Sequence, residues 1–385
     1  MKIPLKYNLR SLLVRRVGAL MTAIGIGLTV AIFIVMNALV NGLDSTFVQT
    51  GHDNHLVVLR QGALNETGSY FDRSIFDTIR LLDGVKRDPS GEPLASGEIV
   101  VIINHPRISG ESANVMIRGV SEMAFRLRPE VQIVEGRRFR HGLRELIVSR
   151  SLSNRFQDMQ VGKVIRIARS EWRVVGIFEA GGTAYDSEIW ADYDDVAQEW
   201  DRPVYSSILL SAADPQAAER LKKRIKDDQR INLQAFDQKA YFQEQTVSSA
   251  GIKALGYFIA VLMGIGSCFA AMNMMYSAVL SRMKEVGTLR ALGFRRRSIL
   301  SSFVVESLIL AMAGGVLGCV MALPLHGLST GTANFMSFSE VLFHFRITPW
   351  ILLQGLIFAA VIGILGGILP ARRAARIRLV EVLRD

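Results

Sequence analysis

Two histidines three residues apart, His52 and His55, come closest in this sequence to a metal-binding pattern. Imidazole nitrogens bind zinc, but a zinc site needs three or four protein ligands. Asp53 lies between the two histidines, and no cysteine is near them. The pattern therefore favours a surface pair of histidines, and we expect no metal site.

The other reactive side chains do not form a pattern typical of catalysis. No G-x-x-x-x-G-K-[ST] stretch occurs, so we expect no ATP-binding loop in this chain. Cys268 and Cys319 lie in apolar stretches, away from any redox motif, and are interpreted as packing residues. No Ser/His/Asp set or carboxylate pair stands out. We therefore expect no catalytic residue and no cofactor bound by this chain.

Four long apolar stretches decide the class of protein. Of the 385 residues 50% are hydrophobic, and the apolar stretches run over 17–40, 254–280, 299–325 and 347–369. About 20 helical residues cross the hydrocarbon core of a membrane. We therefore predict four transmembrane helices, which disfavours a soluble enzyme, a nucleic-acid-binding protein and a disulfide-rich secreted protein. The first stretch lacks a clear cleavage site, so we interpret it as a retained anchor rather than a signal peptide.

The charged residues are distributed unevenly around these stretches. The block 41–252 holds 27 Lys/Arg and 30 Asp/Glu, whereas the rest of the chain holds 18 basic and 5 acidic residues. The basic residues cluster before the first stretch, between the second and third, and after the fourth. Because basic loops stay in the cytoplasm, we predict that both termini are cytoplasmic and that the large block is extracytoplasmic. The basic charge is expected to contact membrane lipids and not nucleic acid.

The large hydrophilic block mixes strand and helix patterns. We predict strands at 55–60, 98–104, 114–119, 145–149, 164–168, 171–178 and 206–210, and helices at 74–82, 150–156, 193–199 and 215–227. Asp214 and Pro215 are typical of an N-cap and a first helical position. The predicted fold class is an α-helical membrane protein with four transmembrane helices and a large mixed α/β extracytoplasmic domain inserted between helices 1 and 2.

The order of these patterns predicts how the chain is divided. We expect two subdomains in the large block, one formed from both of its ends and one inserted at about 106–203. A polar helix that runs from Gln238 into the second span is expected to connect the block mechanically to the cytoplasmic side. The predicted segments are 1–16, an interfacial amphipathic helix; 17–50, the first span and its outward extension; 51–237, the α/β domain; 238–280, a stalk helix and the second span; 281–298, a cytoplasmic loop; 299–325, the third span; 326–346, a short external loop; 347–369, the fourth span; and 370–385, a basic tail.

Small residues recur every four positions on the first span, at Ala19, Ala23, Gly27 and Ala31. Such a stripe lets two helices approach closely in lipid. The stripe is compatible with packing inside one subunit and with a contact between two copies of the chain. Because four spans are few for enclosing a substrate path, a dimer is our hypothesis.

Two polar side chains interrupt the later spans. Glu306 lies about two turns into the third span, where a carboxylate is either a proton or substrate site or is paired with a basic neighbour. We favour the pairing, because no His or Asp relay accompanies it. Asn273, on the second span, is interpreted as a helix-to-helix hydrogen bond rather than a ligand.

The loop between the second and third spans contains a short amphipathic pattern. Met283, Val286, Leu289 and Leu292 recur at helical spacing, and Gly293 is typical of a helix end. The pattern predicts a short helix that either rests on anionic lipid or docks to a cytoplasmic partner.

This loop and the end of the chain resemble a known family. The segment RMKEVGTLRALGFRRRSIL and the ending LPARRAARIRLVEVLRD look like the coupling-helix and C-terminal signatures of the MacB/FtsX-type ABC transporter permeases, which also include lipoprotein-release permeases. The layout of one span, a large outer domain and three more spans is similar over the whole chain. The stretches ELIVSRSLSNRF and VGKVIRIARSEWRVVGIF resemble the outer domain of that family.

The resemblance implies a function and partners. It implies a non-catalytic permease in the bacterial cytoplasmic (inner) membrane, with a periplasmic domain that moves when a separate ABC ATPase binds and hydrolyses ATP with Mg²⁺. It further implies a second permease copy, as a homodimer or with a homologous permease, and a possible periplasmic adaptor. Substrates compatible with it are a drug, a peptide, a lipid or a lipoprotein. The residues implied to seat in the ATPase are Lys284, Glu285, Val286, Gly287, Thr288, Leu289, Arg290, Ala291 and Leu292.

The sequence differs from some members of the family in one respect, and two other functions are considered. Members with a fused ATPase carry it ahead of the first span, where this chain has only about 16 residues, so we expect the ATPase on a separate subunit. An FtsX-like signalling or scaffold protein that controls an extracellular hydrolase is the alternative function. A membrane-anchored enzyme would need a catalytic cluster around His52, His105, His141 or Glu145, and the sequence shows none.

Overall fold

The computed structural model describes residues 16–246, 249–333 and 339–376, which form two compact units. The helical unit comprises residues 16–41, 251–328 and 345–376, and the sheet unit comprises residues 42–250 and 329–344, within the described ranges. The predicted interfacial helix 1–16 lies outside the described residues except for Arg16, as does most of the basic tail 370–385.

Eleven α-helices are present in the described chain. They are α1 (Arg16–Thr50), α2 (Arg73–Arg80), α3 (Met123–Leu127), α4 (Arg150–Ser153), α5 (Tyr193–Glu199), α6 (Pro215–Asp227), α7 (Gln238–Thr246), α8 (Ser249–Ser281), α9 (Met283–Ala291), α10 (Arg296–Ala322) and α11 (Pro349–Arg376). Two 3₁₀ helices cover Ala184–Ser187 and Leu323–Leu325.

Four of these helices are long and apolar enough to cross a membrane: α1, α8, α10 and α11, here named spans one to four. With no water to bond to in lipid, a spanning segment must satisfy its backbone hydrogen bonds internally, as a helix does. Span one extends past the predicted apolar stretch to Thr50, although Gly42 lowers the helical propensity there. The predicted continuity of the helix from Gln238 into span two falls on residues 247–248, outside the described residues.

Span four continues beyond its predicted end at residue 369. Pro370 lies inside helix α11, which runs on to Arg376. Proline removes one backbone hydrogen bond and usually ends a helix, which explains the shorter prediction. The helix continues because Pro370, Ala371 and Ala374 are buried. Ala371 and Ala374 belong to a cluster with Met275 of span two and Phe303 of span three, so packing offsets the lost bond.

A ten-stranded sheet forms the centre of the sheet unit. Its strands are β1 (His55–Arg60), β3 (Ala95–Pro106), β4 (Ser112–Val120), β5 (Gln132–Gly136), β6 (Glu145–Ser149), β7 (Val164–Ile167), β8 (Ser170–Glu179), β9 (Glu188–Asp192), β11 (Ser207–Ser211) and β12 (Leu233–Asp237). The order is β12-β1-β11-β3-β4-β9-β6-β8-β5, and β7 pairs with β8. Two short pairs join β2 (Phe71–Asp72) to β10 (Val204–Tyr205) and β13 (Ser329–Ala333) to β14 (Glu340–His344).

The ends and the middle of the block supply different halves of this sheet, and their division into two subdomains stays a prediction. Strands β12, β1 and β11 come from the ends of the block, and strands β4 to β9 come from its middle. The long strand β3 pairs with β11 through its first residues and with β4 through its later ones. Because β3 belongs to both halves, the block forms one unit with a continuous core that includes Leu56, Val101 and Val148.

Helix starts in the sheet unit follow the expected capping chemistry. The Asp214 carboxylate accepts a hydrogen bond from the Ala217 amide at 2.7 Å, with Pro215 in the first helical position of α6, as predicted. Asp192 accepts from the Asp194 and Asp195 amides at the start of α5. These caps satisfy amides that have no partner inside the helix.

The segment between spans three and four differs from the predicted short external loop. It contributes the hairpin β13–β14 to the sheet unit, with Ser329–His344 assigned there. Leu342 and Phe343 of β14 are buried, and Leu342 belongs to the main core of the sheet unit. The sequence missed this because each strand has only five residues and neither alternates strongly between apolar and polar positions.

Five buried charged residues lie together inside the sheet unit: Glu66, Glu98, Arg118, Arg128 and Glu188, here named the arginine cluster. Arg118 donates to Glu66 at 2.7 and 2.9 Å, to Glu98 at 2.8 Å and to Glu188 at 2.8 Å through each of two nitrogens. Arg128 forms a two-bond pair with Glu98.

Burial and pairing set the protonation states in this cluster. Burial disfavours the Glu66 carboxylate, but the charge and hydrogen bonds of Arg118 outweigh it and lower the pKa of Glu66. Burial also disfavours charged Arg118, but the carboxylates of Glu188 and Glu66 raise the pKa of Arg118 well above its usual value. The Arg128 guanidinium lies over the Tyr185 ring at 4.7 Å. Glu66 and Arg118 are therefore charged at neutral pH.

Replacing Arg118 by Met tests the weight of this cluster. Three carboxylates would lose the same partner inside the core, so we expect the free energy of unfolding of the sheet unit to fall by about 3–5 kcal/mol. Urea unfolding followed by the fluorescence of Trp172, Trp190 and Trp200 measures it. The control Arg73→Met removes the exposed pair with Asp194 and should cost at most about 1 kcal/mol. Equal losses in the two variants would contradict the argument.

Candidate functional site

The short helix α9 connects spans two and three, as the pattern of residues 281–298 predicts. It follows Arg282 and is packed through Val286 and Gly287, which are buried. Val286 lies in a cluster with Val279 of span two and Ile299 of span three. The helix is therefore held against the ends of the two spans that flank it.

The four apolar residues of the predicted amphipathic pattern differ in exposure. Val286 is buried and Leu289 is partly buried, but Met283 is 39% exposed and Leu292 is 68% exposed. Met283 is the first residue of the helix, and Leu292 is the cap residue after its last turn.

The turn after α9 explains how Leu292 is presented. Gly293 has φ +91°, a conformation that glycine adopts without strain. The amides of Leu292, Gly293 and Phe294 bond to the carbonyls of Thr288, Arg290 and Leu289 at 2.9–3.1 Å. This tight C-terminal turn closes the helix and leaves Leu292 on the surface.

The free face of α9 combines charged and apolar groups. Lys284, Glu285, Thr288 and Ala291 are exposed, as are Arg295, Arg296 and Arg297 just after the turn. The predicted residues Lys284 to Leu292 are thus brought together on one short element, with Val286 and Gly287 facing the spans. The exposed part can form ion pairs and bury one leucine against a partner, but it holds no group placed for catalysis.

An ion pair ties the start of α9 to span three. Arg282 Nη1 lies 3.0 Å from Glu306 Oε2, and the Glu306 side chain is 3% exposed. Arg282 also lies 3.8 Å from Glu285, which is largely exposed. This contact is the predicted pairing of Glu306 with a basic neighbour. The sequence alone did not identify Arg282 as that neighbour.

The stripe of small residues on span one faces span three of the same chain. A Cβ atom on Gly27 would lie 3.0 Å from the Gly314 carbonyl oxygen, and one on Gly318 would lie 2.6 Å from the Gly27 carbonyl oxygen. Ala19 and Ala31 are buried, and Ala23 is partly buried. The close approach of these two helices is therefore explained within one chain, and a contact of this stripe with a second copy stays a prediction.

Spans one and two are joined by a hydrogen bond that the sequence did not single out. The hydroxyls of Thr29 and Ser267 lie 2.5 Å apart in a buried position. Asn273 instead lines a cavity of about 720 Å³ between these spans, together with Thr22 and Ser277. No hydrogen bond from the Asn273 side chain occurs among the residues that the structure describes.

His52 pairs with a carboxylate, and His55 is partly buried. His52 Nε2 lies 3.0 Å from Glu130, and this hydrogen bond raises the pKa of His52. Burial lowers the pKa of His55 to about 4. Within the described ranges, His141, Asp192 and Asp194 lie close enough to hold a cation. Two of these side chains have structural roles without a cation, since Asp192 caps α5 and Asp194 pairs with Arg73 at 2.7 Å.

The fold and the helix between the spans define a class: an integral membrane protein of four spans with a large α/β domain inserted after the first. Comparison with family models matches residues 19–228 to the MacB-like periplasmic core domain and residues 257–379 to the FtsX-like permease C-terminal domain. The chain belongs to the MacB/FtsX-type ABC transporter permeases.

The curated relatives that match are also named as permeases. The chain is 30% identical over 59% of its length to an uncharacterized ABC transporter permease of Methanocaldococcus jannaschii, covering 58% of that protein. It is 30% identical over 70% of its length to the macrolide export ATP-binding/permease protein MacB of Escherichia coli, covering 43% of it. It is 27% identical over 72% of its length to MacB of Hahella chejuensis, covering 44% of it. The chain thus spans about half the length of these relatives.

Solved structures of outer regions also match. The periplasmic region of MacB from Actinobacillus actinomycetemcomitans matches at TM-score 0.39 and 12% identity, over 52% of this chain and 95% of that one. The extracellular domain of the transporter YknZ from Gram-positive bacteria matches at TM-score 0.37 and 14% identity, over 48% of this chain and 100% of that one.

Substitutions at two glycines test the packing of span one on span three. Gly314→Val places side-chain atoms against the Ala23 carbonyl and Ile26, so we expect a loss of about 1–3 kcal/mol and a lower melting temperature in detergent. Gly25→Val is the control, because nothing lies within 4 Å of the position of its Cβ. If Gly25→Val destabilised the protein as much as Gly314→Val, the packing argument would fail.

A double-mutant cycle tests the pair between Arg282 and Glu306. We expect Arg282→Gln and Glu306→Gln each to lower the melting temperature, and the double variant to lose less than their sum, with a coupling energy of about 0.5–3 kcal/mol. Glu285→Gln is the control, since it removes an exposed partner of the same arginine and should cost less than about 1 kcal/mol. Strict additivity of the two single losses would rule out the pair as a stabilising contact.

Proposed function

We propose that this protein is the membrane subunit of an ABC transporter and that helix α9 is its contact with the ATPase. The observation that carries the proposal is the helix between spans two and three, which is anchored by Val286 and Arg282 and exposes Lys284, Glu285 and Leu292. A short, rigidly held helix with a mixed charged and apolar face suits a protein partner, because interfaces combine an apolar anchor with a polar rim.

The charge distribution supports an orientation for this assembly. The basic residues around α9 and before span one lie on the cytoplasmic side by the positive-inside rule, so both chain ends face the cytoplasm. The sheet unit then lies outside a bacterial cytoplasmic membrane, in the periplasm where one exists. The exposed arginines Arg295 to Arg297 also suit contact with anionic lipid headgroups.

ATP hydrolysis by a separate subunit would drive movement of the sheet unit. The proposal is supported by the match to a permease C-terminal domain, and in it ATP and Mg²⁺ are bound by the partner ATPase. It is also supported by helix α1, which contains residues of the helical unit and, from Gly42, of the sheet unit. A continuous helix is a stiff element through which ATP-driven closure can reach an outer domain.

For the transported substrate we propose chemical classes and no single compound. Relatives named macrolide export proteins favour export of a drug. Export or extraction of a peptide, a lipid or a lipoprotein is also compatible with a permease of this family. Such transport would use two permease copies, alike or homologous, and a periplasmic adaptor where a second membrane must be crossed.

Co-purification tests the contact with the ATPase. We expect detergent-solubilised protein to retain an ABC ATPase encoded beside it, and Glu285→Ala with Arg290→Ala to weaken retention at least about tenfold, because both residues lie on α9. Retained ATPase, measured by mass spectrometry and ATP hydrolysis, is the readout. The matched control Arg73→Ala with Asp194→Ala removes one base and one acid from the sheet unit and should retain the ATPase fully.

The alternatives give different results in the same experiment. If neither form retains an ATPase, the transporter proposal is overturned. If the ATPase binds and hydrolyses ATP while reconstituted vesicles move none of the four substrate classes, signalling to an extracellular hydrolase replaces transport.

A further inference from the structure

The strand β14, which leads into span four, is built into the core of the sheet unit. Leu342 and Phe343 are 3% and 1% exposed, and Leu342 packs in the main apolar core. The Leu342 amide donates a hydrogen bond to the Ser187 hydroxyl at 2.8 Å. This segment therefore has contacts typical of an internal strand rather than of a surface loop.

A buried carboxylate on this strand is held by two arginines of the sheet unit. Glu340 Oε2 accepts from Arg107 at 2.7 and 3.1 Å, and Glu340 Oε1 accepts from Arg155 at 3.0 Å. The Glu340 side chain is 4% exposed, whereas the two arginines are about one quarter exposed. Both carboxylate oxygens are thus paired, as a buried carboxylate requires.

The two arginines are placed side by side by the backbone of the sheet unit alone. Arg107 follows β3 and Arg155 follows α4, and the Ile108 amide donates to the Arg155 carbonyl at 2.9 Å. Arg107 also forms an isolated β-bridge with Phe156. The site that receives the carboxylate is therefore fixed independently of the hairpin.

The hairpin is shaped to place this carboxylate. Gly331 of β13 lies beside Glu340, and a Cβ atom on Gly331 would collide with the Glu340 carboxyl group. Glycine at this position leaves the space through which the Glu340 side chain passes. The hairpin and the two arginines thus have complementary shape and charge.

The hairpin that carries Glu340 lies between spans three and four in the chain, which gives its ion pair a mechanical role. Leu328 and Phe345 belong to the helical unit, whereas residues 329–344 between them belong to the sheet unit. Spans three and four are joined through this hairpin, and span three carries Glu306, the partner of Arg282 at the start of α9. A displacement of spans three and four therefore pulls on β14.

We propose that Glu340, Arg107 and Arg155 fasten the segment between spans three and four into the sheet unit, so that it transmits movement of these spans to the sheet unit in addition to helix α1. The role in transmission rests on the proposed function, whereas the fastening does not. Glu340 is a positioning residue, because it acts by holding β14 and touches no substrate.

Hydrogen–deuterium exchange of the full chain, without nucleotide, tests the fastening. Glu340→Gln leaves two arginines without their carboxylate, and we expect amides of β14 to exchange at least about tenfold faster while β6 is unchanged. Glu111→Gln is the matched control: Glu111 lies 3.6 Å from the same Arg107 but is 83% exposed, so β14 should exchange within about twofold of wild type. Unchanged exchange of β14 in Glu340→Gln would overturn the proposal.

If Glu340→Gln fails to fold, the amides of β6 will also lose their protection from exchange. A second variant then tests the fastening. Gly331→Ala retains every charge and forces the Glu340 carboxylate to move. Faster exchange confined to the hairpin supports the fastening, and wild-type exchange overturns it.

Electron-spin distance measurements test transmission once an ATPase is bound. Labels at Leu81→Cys in the sheet unit and Ser301→Cys in span three, with Cys268 and Cys319 changed to Ser, report ATP-dependent displacement. We expect Glu340→Gln to keep ATP hydrolysis within about twofold of wild type and to reduce the ATP-dependent change in distance by about half or more, with Glu111→Gln unchanged in both. A full change in distance in Glu340→Gln overturns transmission. A wild-type chain that binds no ATPase overturns the proposed function and leaves the exchange result standing.

Discussion

Helices in lipid cannot use the hydrophobic effect to associate, and the helical unit depends on the contacts that replace it. Gly27, Gly314 and Gly318 bring the backbones of spans one and three together. The hydroxyls of Thr29 and Ser267 join spans one and two, and Arg282 and Glu306 join the start of α9 to span three. Without this framework α9, at nine residues, would be too short to hold its shape in water.

The sheet unit is stabilised in a different way. Its sheet buries an extensive apolar core, yet it also places Arg118 among three carboxylates with very low exposure. Ion pairs of this kind contribute little net stability compared with apolar packing, but they are destabilising when one partner is lost. The same physics applies to Glu340, whose two arginines are held side by side by backbone contacts that do not involve the hairpin. A strand in the wrong place would therefore leave a buried charge without its partner, which destabilises that arrangement.

The membership of β13–β14 in the sheet unit changes how the chain is understood. The four-span layout suggests that the outer domain is one insertion after the first span, as in the family model that matches residues 19–228. Residues 329–344, which lie inside the second matched region, nevertheless complete the sheet unit. The outer domain is thus assembled from two distant parts of the sequence, and the connection between spans three and four is a structural part of it.

The sequence by itself determined the features that depend on neighbouring residues. Hydropathy predicted the four spans, alternation predicted β1, β6 and β8, and Asp214 with Pro215 predicted the start of α6. Periodicity also predicted α9, on which Val286 is buried and Met283 and Leu292 are exposed. Strand β9, although fully apolar at its centre, and the short strands β5, β12, β13 and β14 were missed.

Tertiary structure alone decided the contacts between distant residues. Arg118 pairs with Glu66 and Glu188, 52 and 70 positions away, and Arg107 pairs with Glu340, 233 positions away. In the sequence each of these residues has the appearance of a solvated surface charge, because most charged residues are exposed. Only the folding of β3, β4 and β14 into one unit removes water from them, and the loss of water makes their pairing obligatory. Local pattern therefore specified the elements, and desolvation at long range specified which charges hold them together.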